Sequence, residues 1–155
     1  MSTTQTTEPR NDVERLLQDL AASPGVQYRV DSGDNLFIVW LTGTNAPQCG
    51  CHADTWWTAG TDNWHVMAQF GAVKRVRFVR EPDAHLPEHE TLSIRFVGAN
   101  GVSSLRASFA PLYDDGNQPI AAQFARWQEL RAKYGGQDEA RVEEGMFVPP
   151  VAAAR

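Results

Sequence analysis

The chain has 155 residues, 42% of them hydrophobic and 21% charged, and carries a net charge of −5. That length suits one domain with its own core, and the acidic surplus excludes a general binder of nucleic acid or anionic membranes. The longest apolar run, Leu36 to Leu41, is far too short to cross a bilayer.

Residues 1–10 are polar and Thr-rich, without the apolar segment of a secretory signal, so they are expected as a disordered tail and the cytoplasm as the compartment. Val13, Leu16, Leu17 and Leu20 then recur at helical spacing, with Asn11 or Asp12 placed to cap and Pro24-Gly25 to stop. Strand-like segments follow. Val26 to Val30 and Leu36 to Leu41 flank a Gly/Asp/Asn turn, and a Gly/Asn/Pro-rich loop runs on through Cys51. A short strand is expected at Thr55 to Thr58. In Trp64 to Phe70, the residues Trp64, Val66, Ala68 and Phe70 alternate with His65, Met67 and Gln69, the pattern of a strand with one buried face. Gly71 breaks it, and Val73 to Arg80 resumes as the next strand. Leu92, Ile94 and Phe96, then Leu105, Ala107 and Phe109, mark two more strands around Asn100-Gly101.

Periodicity changes again after Asn117. Ile120, Phe124, Trp127, Leu130 and Tyr134 share one helical face from near Pro119, and Gly135-Gly136 ends it. The expected fold class is therefore α+β: an antiparallel meander with an N-terminal helix and a C-terminal helix packed on the sheet. Its single domain covers 11–136, and 137–155 is expected as an extended C-terminal tail in which Met146 to Val148 could pack on a partner subunit.

Two groups of residues carry chemistry. His65 lies on the strand face opposite the core residues, toward solvent or a cleft, and Lys74, Arg75, Arg77 and Arg80 follow on the next strand, with Arg75 and Arg77 on one face. Arg95 and Arg106 add cations. Alternation leaves two readings open, a solvated face with ordinary salt bridges to acidic loops such as 81–90, or guanidinium groups that hold ligand carboxylates. An imidazole beside such cations and apolar residues suits a flat, apolar, carboxylate-bearing ligand, and haem is one. Adjacent Trp56 and Trp57 cannot share a strand face, so one of them is a candidate pocket wall. The second group is Cys49-Gly50-Cys51-His52. Its spacing is not that of covalent haem attachment, Cys-x-x-Cys-His. Two thiols and an imidazole could take a soft metal or supply a thiolate to haem iron, although a closed site lacks a fourth ligand unless His65 provides it; reduced, buried cysteines are the plainer reading. No phosphate-binding glycine loop, Gly-x-Ser-x-Gly elbow or His-Glu-x-x-His helix is present.

Trp64-His65-Val66, the run Val73 to Pro82, Glu90 to Phe96, Asn100-Gly101 and Trp127-Gln128-Glu129-Leu130 together resemble the haem-utilisation proteins of the HemS, ChuX and HutX type, over about residues 60 to 134. The resemblance implies non-covalent binding of b-type haem on an antiparallel sheet, a role in cytoplasmic haem trafficking or utilisation or, in some members, haem-dependent catalysis, and, for a single repeat, a homodimer. On that basis His65 is the leading iron ligand, Arg75 and Arg77 are propionate partners, and Trp56 or Trp57 lines the pocket. Cys49, Cys51 and His52 are alternative iron or metal ligands. Two other readings are a haem-free module whose arginine-rich face docks an acidic partner, and a small enzyme of the nuclear-transport-factor-like type. That last superfamily usually closes with strands rather than with a helix such as the one from Pro119 to Tyr134.

Overall fold

A computed structural model describes residues 8–31, 38–41, 48–52, 56–61 and 64–150, with side chains described for 8–30 and 67–150. Residues 1–7 of the expected tail at 1–10, and the residues beyond 150, lie outside the described residues. Helix α1 (Asp12–Ala21) begins at Asn11, whose Oδ1 accepts the Glu14 N–H at 2.8 Å, relieving one of the orphan donors of a helix start. Its expected apolar positions, Val13, Leu16, Leu17 and Leu20, are all fully buried.

Seven strands build one antiparallel sheet: β1 (Val26–Asp31), β2 (Ile38–Leu41), β6 (Arg75–Pro82), β7 (Glu90–Val97), β8 (Ser103–Phe109), β9 (Glu139–Glu143) and β10 (Met146–Phe147), in the order β10-β9-β6-β7-β8-β1-β2. A separate three-stranded sheet holds β3 (Gln48–His52), β4 (Trp56–Thr61) and β5 (Trp64–Gln69). Alternation predicts the buried face of the larger sheet, where Val76, Phe78, Ile94, Phe96, Leu105, Ala107 and Phe109 all enter the core.

The antiparallel α+β class with its two helices is the one expected, and two details within it differ. The segment expected as a loop through Cys51 is strand β3, paired residue for residue with β4. β5 and β6 are not neighbours either: the 3-10 turn Phe70–Ala72 carries the chain from one sheet to the other. Phe70 is buried in the core at that turn while Gly71 has open space around it, so one anchored aromatic and one unhindered residue together redirect the chain.

Helix α2 (Ala121–Lys133) lies on the core face of the larger sheet. Trp127 is buried there, its ring edge-on to Phe78 with centroids 6.4 Å apart, and its Nε1 donates to the Ser93 carbonyl at 3.2 Å. The helices are tied to each other by Asp19, whose Oδ2 accepts Lys133 Nζ at 2.6 Å and the Tyr134 hydroxyl at 2.7 Å.

Within the segment 137–150, β9 and β10 form a hairpin that belongs to the sheet. β9 pairs with β6 through Arg75↔Arg141, Val76↔Ala140 and Arg77↔Glu139, burying Ala140 and Val142. The β9–β10 turn docks on the start of α1: the Val13 N–H donates to the Gly145 carbonyl at 3.0 Å, and the Phe147 N–H to Asp12 Oδ2 at 2.9 Å. Gly145 has φ of 82°, and a Cβ there would sit 2.6 Å from Asn11 Cγ, so close approach and backbone conformation both call for glycine.

Burial, and then the hydrogen bond to Asp19, push the Tyr134 hydroxyl far above the ordinary phenol range. Because the folded state holds this proton more tightly than the unfolded chain, the stability it contributes is complete below about pH 10 and declines as pH rises above it. Denaturant midpoints measured from pH 8 to 11 are expected to fall more steeply for the parent protein than for Tyr134→Phe, which has no proton to lose there. Equal slopes would assign the alkaline loss to other groups.

Candidate ligand-binding face

The sheet register gathers arginines that are scattered along the chain. Arg77 of β6 stands opposite Arg95 of β7, Arg95 opposite Arg106 of β8, and Arg106 opposite Arg29 of β1. Directly opposed residues share a face, so these four form one row on the side away from the helices, roughly 14 Å long at the usual strand spacing. Like charges in opposed positions repel, so such a row requires anionic groups nearby.

The chain itself supplies some of them. Glu139, first in β9, forks between Arg75 and Arg77, with Arg75 Nη1 at 3.4 Å from Oε1 and Arg77 Nε at 3.3 Å from Oε2. Arg95 has only 14% of its side chain exposed; it pairs with Glu81, and its Nε donates to Ser93 Oγ at 3.3 Å. The expected split of cations on β6 holds, and Arg80 on the other face makes a two-pronged contact with Glu90, at 2.8 and 2.6 Å, beneath the Phe124 ring. That contact holds the Glu90 carboxyl below its usual range and raises the Arg80 guanidinium. Lys74 Nζ donates to the Gly71 carbonyl at 3.0 Å. Each pair on the exposed rim contributes little to stability, and a competing carboxylate can therefore replace its partner.

Two clefts lie near the cations. One of about 280 Å³ is lined by Arg77, Arg80, Trp127, Asp138 and Glu139. The other, about 690 Å³, sits where the chain passes between sheets, lined by Gln69, Phe70, Gly71, Ala72, Lys74 and the turn at 98–100.

In the smaller sheet, His65 stands opposite Gly60, while His52, Trp56 and Gln69 form one cross-strand row and Cys51, Trp57 and Ala68 another. Ala68 packs against the core, whereas Met67 and Gln69 are exposed. The register therefore assigns Trp57 to the row of the core-packed Ala68 and Trp56 to that of the exposed Gln69. It also puts Cys49 and Cys51 at positions of one parity along β3 and His52 at the other. The side chains of His65, Trp56, Trp57, Cys49, Cys51 and His52 lie outside the described ones.

Arg95 and Arg106 are visible in the sequence as cations, but their line-up with Arg29 and Arg77 depends on strand order, and Glu139 falls in the expected tail. The only advance signal for Glu139 is the short alternation Glu-Ala-Arg-Val-Glu at 139–143.

The α+β fold, with helices on one face of an antiparallel sheet, is shared with solved structures. ChuX is 17% identical, with a TM-score of 0.62, over 77% of this chain and 70% of that one. A further structure, of the haem-binding protein ChuX, is 16% identical with the same score and coverage. A protein from Agrobacterium tumefaciens is 15% identical, with a TM-score of 0.59, over 77% of this chain and 65% of that one. No curated protein matches the sequence. A family model matches residues 48–135, more than half of the chain, and the chain belongs to the ChuX-type family. Among the described residues, no helix is long and apolar enough to cross a membrane.

Proposed function

We propose that this protein binds b-type haem non-covalently and serves haem trafficking or utilisation in the cytoplasm as a homodimer. The observation that carries the reading is the arginine row Arg77–Arg95–Arg106–Arg29 on a sheet of ChuX type. A flat ligand with two carboxylates on one edge meets adjacent guanidinium groups there, and guanidinium pairs with carboxylates through charge-assisted hydrogen bonds. Arg75, Arg77 and Arg95 are the propionate partners in this reading. His65 is the iron ligand: it has the parity of the exposed Met67 and Gln69, and Gly60 opposite it contributes no side chain to crowd an approaching ligand. Trp56, in the row of Gln69, is the pocket wall. Haem would supply its iron as the site for a further ligand; the chain's part is to hold the propionates, the ring and the iron's protein ligand.

Titration with haemin tests this directly. One Soret band per subunit is expected, unaffected by substitution of Cys49, Cys51 or His52. In His65→Ala the band should be displaced and uptake weakened at least about tenfold, since even outer-shell partners of metal ligands are worth that much. A thiolate-type spectrum would move the iron to the cysteines. The pairing of Arg75, Arg77 and Arg95 within the chain favours a second reading, a haem-free sheet whose arginines are structural or dock an acidic partner. A titration that returns only the spectrum of free haemin would rule out the haem reading in favour of that one.

A further inference from the structure

We infer that Glu139 is a built-in competitor for the ligand's carboxylate, an internal anion that the ligand must displace from Arg75 and Arg77. The inference rests on the reading of this face as the one that takes the ligand's carboxylates. One carboxylate spans both guanidinium groups, at 3.4 and 3.3 Å, in a contact where all three side chains are between 41% and 49% exposed. Open to water, the contact is weak and exchangeable. Glu139 and Arg77 also line the 280 Å³ cleft beside Trp127, so the pair is open to water on that side as well.

The backbone keeps Glu139 in place after displacement. It is held opposite Arg77 by the β6–β9 pairing, and β9 is tied through its hairpin to the start of α1 by the Val13–Gly145 and Phe147–Asp12 hydrogen bonds. Only its side chain can swing aside. A bound carboxylate at Arg77 therefore shares its surroundings with a second negative charge, which lowers affinity and discriminates against ligands with more anionic charge on that edge. Arg95, itself largely buried, lies on the far side of Arg77 from Glu139 and has its own internal carboxylate, Glu81.

Free-base protoporphyrin, with two carboxylates and no iron, and its dimethyl ester, with none, are the probes. Glu139→Gln keeps the side-chain shape and removes the charge. It is expected to tighten protoporphyrin binding about fivefold, the scale of a like-charge contact in a solvated setting, with no change for the dimethyl ester, and the gain should vanish in Glu139→Gln/Arg77→Ala. Weaker or unchanged binding in Glu139→Gln would overturn the inference, the former because it would make Glu139 a residue that positions the arginines. An equal gain for the ester would overturn it too. If the parent binds protoporphyrin normally in those cases, the haem reading survives alone; if neither parent nor variant binds either probe, the inference falls, and the haem reading falls with it only if haemin gives no Soret shift either.

Discussion

Trp127→Ala is expected to cost about 4 kcal/mol of stability, the usual range for deleting a buried tryptophan. The ring is 5% exposed, meets Phe78 edge-on, and is the principal contact of α2 with the sheet, alongside the fully buried Leu130. Its Nε1–H bond to the Ser93 carbonyl is lost as well, leaving a β7 backbone acceptor short of a partner. Since natural domains are stable by only about 5–15 kcal/mol, the variant should show a large fall in denaturant midpoint. Trp127→Phe separates the two contributions. It keeps most of the packing and loses the hydrogen bond, and should cost about 1–2 kcal/mol. If the alanine variant lost less than about 1 kcal/mol, a value typical of surface substitutions, the role of Trp127 in fastening α2 would be wrong.

The second large effect is on ligand binding. Arg77→Ala/Arg95→Ala removes two neighbouring members of the row, and at roughly 1.5 kcal/mol or more for each charge-assisted hydrogen bond lost, haem affinity should fall about a hundredfold. Iron coordination through His65 should persist, so the Soret position of whatever complex forms is expected to stay where it is in the parent. This pattern, affinity lost with the spectrum retained, is opposite to that of His65→Ala. Glu81 loses its partner and Glu139 one of its two in the double variant, and a circular dichroism spectrum with a denaturant midpoint close to that of the parent is the necessary control. Unchanged haem affinity in a folded double variant would remove the row from the binding site.

The sequence goes a long way toward the separate pieces. Val13, Leu16, Leu17 and Leu20 specify α1 because four apolar residues at that spacing can be buried together only on a helix. The alternation in β7 and β8 likewise separates Ile94 and Ala107, buried in the core, from Arg95 and Arg106. His65 is legible as the one ionisable residue of its strand, and the family resemblance includes that strand. β3 was hidden because Gln-Cys-Gly-Cys-His has neither β-branched residues nor a clear apolar face. β9 was hidden because Ala140 and Val142 are too small and too few to stand out among charges.

By itself, then, the sequence determined the α+β class, the two helices and which residues of β7 and β8 enter the core, since those follow from spacing within a few neighbours. Only the tertiary structure decided that β5 and β6 belong to different sheets, that the hairpin beyond Gly136 completes the larger one, and that Arg29, Arg77, Arg95 and Arg106 line up with Glu139 beside Arg77. The physical reason is that periodicity reports which way a side chain faces relative to its own backbone, whereas neighbours across a sheet depend on strand order and register, set by packing between residues far apart in the chain. A row of like charges is a property of that order, which no local pattern contains.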